Sequence, residues 1–129
     1  MNIQTAQAIT QQYLTGLAEA NLETILALFT EKGQVVSPLY GTMDAHLFYS
    51  ALFQDTQQSE VTMISSFPHP EKEELALYFN YRWTMENGNI VEFKVVDIID
   101  CNTDGKIETL TIIYDTQQTR PSFEQLNQE

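Results

Sequence analysis

Two runs of alternating residues that meet at Asn87-Gly88 constrain this chain more than any other feature. Between Glu74 and Glu86, the residues Leu75, Leu77, Phe79, Tyr81, Trp83 and Met85 share one parity, while Glu74, Tyr78, Asn80, Arg82, Thr84 and Glu86 take the other. A period of two places each set on its own face of a strand. Asn87-Gly88 is a two-residue hairpin signal, and a second strand follows from Ile90 to Cys101. A hairpin with one large apolar face is not stable alone in water. Another layer of the chain must cover that face.

The upstream third supplies the layer. Ala6, Ile9, Tyr13 and Leu17 recur at helical spacing. Thr5 is the predicted N-cap, and the helix is expected to end near Ala20. Asn21 is placed to cap a second helix, Leu22 to Phe29, with Leu22, Ile25, Leu26 and Phe29 as its stripe. Glu31-Lys32-Gly33 is expected to stop it. Gln34 to Ser37 reads as extended before Pro38, since a residue preceding proline is pushed out of helical geometry. A third helix is predicted from about Asp44 to Leu52, with Phe48, Ala51 and Leu52 apolar. Further strands are expected over Glu60–Phe67, with Val61, Met63 and Ser65 on one face, and over Lys106–Asp115 after the turn Asn102–Gly105. From Thr116 the chain is polar and expected to fray. There is no repeat and no linker. The expectation is one α+β domain over residues 1–115 with a tail over 116–129. Three N-terminal helices would pack on a strongly curved antiparallel sheet and leave a cavity between the layers.

Charge removes several function classes. Among 129 residues there are 6 Lys+Arg against 18 Asp+Glu, a net charge of -12. Such a surface repels phosphate backbones and anionic membranes, so neither nucleic acid nor membrane is an expected partner. One cysteine, Cys101, makes no internal disulfide and no cysteine-based zinc site; it reads as a small buried or edge hydrophobe. Met1-Asn2-Ile3-Gln4-Thr5 carries no leader pattern and no apolar run approaches a membrane span, so a cytoplasmic protein is expected. There is no glycine-rich phosphate loop, no His-x-x-x-His and no Gly-x-Ser-x-Gly. His46 and His69 stand alone and read as surface residues. No metal and no cofactor is expected.

Asp97 is the most informative single residue. It sits in Val95-Val96-Asp97-Ile98-Ile99 and shares parity with Phe93, Val95 and Ile99. A carboxylate buried there would protonate or find partners. A protonated acid in an apolar pocket is a hydrogen-bond donor. The competing reading points Asp97 outward, at a sheet edge or a dimer contact. Tyr13 on the first helix and Tyr49 on the third have a plain alternative as core residues with wet hydroxyls. Tyr81 and Trp83 line the sheet. Glu60, Glu71, Glu73 and Glu74 read as solvated charge, and Asp104 as a turn residue.

In order and spacing these residues resemble the nuclear transport factor 2-like superfamily, and within it the ketosteroid isomerase and SnoaL-like polyketide cyclase branch. The resemblance spans about Asn2 to Tyr114. It is carried by Thr5-Ala6-Gln7 with Tyr13, by Asn21-Leu22-Glu23-Thr24-Ile25, by Val35-Val36-Ser37-Pro38 with Gly41, by Phe48-Tyr49, by Val96-Asp97-Ile98-Ile99 and by Gly105-Lys106-Ile107. It implies a cone-shaped, cystatin-like α+β barrel around a pocket for a small apolar ligand. By position it implies a pocket lined by Phe29, Phe48, Phe79, Trp83, Val95 and Ile99. In ketosteroid isomerases a helix-borne Tyr and a protonated Asp form the oxyanion hole. Tyr13 and Asp97 fall on those positions, and Tyr49 falls on a second Tyr that bonds to the first. The third Tyr of that network is Phe29 here. The family's general base is an Asp immediately before the proline; here that position is Ser37, which cannot abstract an α-proton unaided. The resemblance also implies a homodimer through the sheet; alternation alone puts Tyr78, Arg82 and Ile113 on its outer face. The implied activities are those of an isomerase, cyclase or dehydratase acting on a small carbonyl compound. A non-catalytic module that binds a small ligand or a protein is the alternative, and an inherited scaffold without ligand is the third.

Overall fold

The structure, a computed structural model, describes residues 1–126. The order is α1 (Ile3–Ala18), α2 (Leu22–Leu26), β1 (Phe29–Ser37), β2 (Gly41–Asp44), α3 (Ala45–Gln54), β3 (Thr56–Pro68), β4 (Glu74–Met85), β5 (Ile90–Cys101), β6 (Ile107–Ile113) and α4 (Thr119–Leu126). The strands form one six-stranded sheet in the order β2-β1-β6-β5-β4-β3. α1 lies across β3, and α3 packs on β1. The architecture is α+β, with helices covering one face of a curved sheet.

The β4–β5 hairpin is its spine. The pairs Leu75↔Ile99, Leu77↔Asp97, Phe79↔Val95, Tyr81↔Phe93 and Trp83↔Val91 all point inward. Fully burying each apolar side chain among them stabilises the fold by ~1.5–3 kcal/mol relative to exposure. Register shifts between Thr56 and Gln58, Met63 and Ser65, Phe29 and Gln34, and Asp100 and Cys101 bend the sheet around the helices.

The local expectations need six corrections. Asn2, not Thr5, caps α1: its Oδ1 accepts from the Thr5 N–H at 2.7 Å. The second helix ends at Leu26, because Phe29 begins a strand. There the Leu28 carbonyl accepts from the Ile107 N–H at 2.8 Å and Phe29 pairs with Ile107. Glu31-Lys32-Gly33 therefore belongs to the irregular middle of β1 rather than to a helix stop. The β1–β6 pair is parallel, so the sheet is mostly rather than wholly antiparallel. The Asn87-Gly88 turn is wider than two residues: Gly88 alone of the pair has a positive φ, and the Met85 N–H donates to the Asn89 carbonyl at 2.9 Å. Lastly, the segment expected to fray carries α4, although 127–129 of that tail lie outside the described residues. Phe123 is buried edge-on against Tyr40, with ring centroids 4.8 Å apart. The Arg120 guanidinium donates to the Pro38 carbonyl at 2.9 Å. Asn89 Nδ2 donates to Gln125 Oε1 at 2.8 Å. Phe123 and Leu126 both pack on the core, but two apolar residues in a polar stretch make too short a run to read as a helix.

α1 closes with Ala20 at φ 51° and the Asn21 N–H donating to the Gly16 carbonyl at 2.9 Å. A left-handed alanine carries a Cβ penalty that glycine lacks. Ala20→Gly should therefore raise unfolding free energy by ~0.5–1 kcal/mol, the glycine's greater unfolded-state entropy offsetting part of the gain. The urea midpoint of the two proteins checks it.

Candidate functional site

Strand alternation turns Asp97 inward. Its neighbours of the same parity, Val95 and Ile99, are buried, and it pairs with Leu77 on one side and Ile112 on the other. Asp97 is 1% exposed. Among the described residues its Oδ1 is the buried side-chain polar atom with no hydrogen-bond partner. Burial pushes its pKa up to about 8, with the Tyr13 hydroxyl pulling weakly the other way. The carboxyl is thus mostly protonated at neutral pH, and an acid in that state donates.

α1 and α3 bring two tyrosines to the same place. Tyr13 and Tyr49 are both buried, and their hydroxyls are 2.9 Å apart. Burial raises both well above the usual tyrosine value. For Tyr13 the neighbouring Tyr49 and then Asp97 add to it, and for Tyr49 Asp97 adds while the bond to Tyr13 opposes. Both remain neutral donors. Phe29 packs on Tyr49 with centroids 5.8 Å apart, where an aromatic ring fills the space without extending the hydroxyl chain.

A cavity opens between the sheet and the helices in front of Asp97. It offers about 40 Å³ for the centres of water-sized molecules. Tyr13, Ser37, Phe48, Phe79, Trp83, Val95 and Asp97 all line it. Phe29 and Ile99, expected as ligand contacts, do not: both are buried in the core outside the cavity wall. Ser37 is buried at the end of β1. Its Oγ accepts from the Leu39 N–H at 3.2 Å and the Tyr40 N–H at 3.1 Å, so the hydroxyl holds the turn into β2.

Sequence reading did not place several of the lining residues at the site, Tyr40 and Tyr114 among them. Tyr40 sits in that turn, outside any periodic run, and donates to Asp55 Oδ2 at 2.8 Å. Tyr114 follows β6 and shares parity with Leu110 and Ile112, a signal that was there to be read; burial raises its pKa to about 12. Tyr81, placed only on the sheet, also lines the cavity and bonds to the Ser59 hydroxyl at 2.7 Å. Trp83 donates its Nε1–H to Thr56 Oγ1 at 2.8 Å.

Other candidates stand apart. His69 is a turn residue whose Nδ1 accepts from the Glu71 and Lys72 N–H groups at 2.9 and 3.0 Å. Cys101 is half-buried, and burial followed by Glu73 pushes its thiol up to about 11. On the outer face, Arg82 is exposed between Glu60 at 3.0 Å and Glu92 at 3.7 Å, and Ile113 is 53% exposed. Among the described residues no group of three His, Cys, Asp or Glu is placed to hold a metal, and no helix is long and apolar enough to cross a membrane.

No protein-family model matches the chain, and no curated protein matches it. Its fold does match solved structures. PrhC from Penicillium brasilianum is 13% identical with a TM-score of 0.78, over 97% of this chain and 91% of that one. SalBIII, an epoxide hydrolase/cyclase-like enzyme of pyran ring formation in the polyether salinomycin, is 15% identical with a TM-score of 0.74, over 87% and 92%. A protein from Catenulispora acidiphila with a ketosteroid isomerase-like fold, in complex with trimethylamine, is 12% identical with a TM-score of 0.72, over 83% and 85%. Other solved chains of the same shape are SnoaL-like, NTF2-like and cystatin-like. The chain therefore shares its fold with these ketosteroid isomerase-like, SnoaL-like and NTF2-like structures.

The raised pKa of Asp97 has a stability consequence. The folded value is about 8 and the ordinary value 3.8, so the folded state holds a proton that the unfolded chain has lost between those pH values. Stability is fully present below the ordinary value and falls as pH rises, by up to ~1.4 kcal/mol per pH unit, until the folded carboxyl ionises. Asp97→Asn removes this loss. In urea unfolding at pH 5, 7 and 9, the variant should gain on the wild type at each step and then level off; a constant difference would mean that the carboxyl is not held protonated.

Proposed function

We propose that the cavity binds a small, mostly apolar molecule through one oxygen, and that protonated Asp97 and Tyr13 donate hydrogen bonds to that oxygen. The observation that carries this reading is that Asp97, whose buried Oδ1 has no hydrogen-bond partner, lines an apolar cavity. A buried polar atom without a partner costs ~1–3 kcal/mol. A ligand oxygen facing the protonated carboxyl would recover that cost. Either hydroxyl of the Tyr13–Tyr49 pair can donate across 2.9 Å; when Tyr49 donates, the Tyr13 proton is free for the same oxygen. Two neutral donors in a dry site stabilise a developing enolate more than they stabilise the ground-state carbonyl. This supports an isomerase, cyclase or dehydratase acting on a small carbonyl compound.

The second reading is a binding module without turnover. It is favoured by Ser37, which stands where the resemblance implies a carboxylate base and whose oxygen is engaged by two backbone N–H groups. In both readings the partner is a small apolar ligand. A homodimer through the outer face of the sheet belongs to both. Tyr78, Val96 and Ile98 are half-buried there beside exposed Ile113, an apolar strip that a second copy could cover.

The test uses substituted phenols of graded pKa, whose phenolates mimic an enolate. Trp83 is the chain's one tryptophan and lines the cavity, so its fluorescence reports occupancy. Affinity should vary systematically with phenol pKa. Tyr13→Phe and Asp97→Asn should each weaken it by ~1 kcal/mol or more. Absence of any fluorescence change with the wild type, or equal affinity in both variants, would overturn the reading.

A further inference from the structure

We propose that Tyr40 and Asp55 are the proton-accepting pair of this cavity, supplying the base that Ser37 does not. The proposal rests on the reading of the cavity as a site for a small carbonyl compound and names the group that would complete its chemistry.

The geometry has four parts. Tyr40 lines the cavity with Asp97 and Tyr13. Its hydroxyl donates to Asp55 Oδ2 at 2.8 Å, so its proton already points at a carboxylate and its lone pairs are left to accept. Its ring is held edge-on by Phe48 at 5.3 Å and Phe123 at 4.8 Å, and its N–H is held by Ser37 Oγ at 3.1 Å. Asp55 is fixed as well: its N–H donates to the Ala51 carbonyl at 3.0 Å and its carbonyl accepts from the Glu86 N–H at 2.8 Å. A donor-acceptor pair locked from both ends is what proton transfer requires. The Tyr40 hydroxyl also lies within electrostatic range of Tyr81 and Tyr114, which line the same cavity, and Asp97 lies within range of those two. The donor end and the acceptor end thus face one space.

The step balances. A C–H bond α to the bound carbonyl breaks, and its electron pair enters the enolate held by Asp97 and Tyr13. The proton passes to Tyr40 Oη as the Tyr40 proton passes to Asp55 Oδ2. Reversal of both transfers at the γ-carbon returns the proton and gives the conjugated isomer. No oxidant or co-reactant is needed. Ser37 then has a role of its own: by capping the turn it positions the tyrosine.

The bland account is that Tyr40–Asp55 only ties the turn to the end of α3. Asp55→Asn separates the two, because the amide oxygen still accepts from Tyr40 but no carboxylate remains to take the proton. The probe is 3-cyclohexen-1-one in D2O, with α-proton exchange followed by NMR and conjugation by ultraviolet absorbance. Phenol affinity is measured on the same samples. The wild type should exceed buffer by at least ~100-fold. Asp55→Asn and Tyr40→Phe should each lose most of that acceleration, Asp55→Asn should bind phenols like the wild type, and Asp55→Glu should recover part of the rate. If the wild type binds phenols but exchanges no faster than buffer, or if Asp55→Asn exchanges like the wild type, the pair is not the base and the pocket reading stands. If the wild type binds no phenol and exchanges no faster than buffer, both fall together.

Discussion

The pairing of β4 with β5 is the constraint on which everything else hangs. It runs from Glu74↔Asp100 to Thr84↔Ile90 without a register shift. With period-two alternation, one unbroken register commits every inward residue at once. Leu75, Leu77, Phe79, Tyr81, Trp83 and Met85 become the floor of the core, and Asp97 arrives on that floor opposite Leu77 because it has the parity of Val95 and Ile99. A slip of one residue would turn the whole set toward water. The buried acid is therefore held in place by the same pairing that makes the core, and it cannot turn outward without undoing that face.

What the acid can do follows from its surroundings. Desolvation dominates, so the proton is retained near neutral pH, and the nearest polar neighbours are tyrosines that burial also keeps neutral. A chain with net charge -12 thus encloses a site whose lining carries no cation. A site of neutral donors favours an oxygen that gains charge during a reaction over a ligand that brings a full negative charge from the start, since an anion would meet ionisable Asp97 and no counter-charge.

The part of the wall around Tyr40 is assembled from pieces distant in sequence. The Ser37–Gly41 turn, the end of α3 at Asp55 and Phe123 of α4 meet around Tyr40. Each contributes one contact, and none carries a periodic pattern. The β4–β5 loop joins them through Asn89 to Gln125 and through the Glu86 N–H to the Asp55 carbonyl. α4 thereby links the tail to the cavity wall, although its sequence around Phe123 is mostly polar.

The sequence by itself determined the parts that rest on local periodicity. The alternating hairpin, the helical stripe Ala6–Ile9–Tyr13–Leu17, the α+β class and the inward parity of Asp97 are all properties of neighbours along one strand or helix. The parallel docking of β1 on β6, the early end of α2 at Leu26, the exclusion of Phe29 and Ile99 from the cavity and the Tyr40–Asp55 contact were decided only by the tertiary structure. The physical reason is range. Alternation and helical spacing record which face a side chain takes, but not which distant segment meets that face. That choice is made by the sum of contacts between elements, and a residue such as Tyr40 shows its role only when the turn, the helix end and the tail have come together.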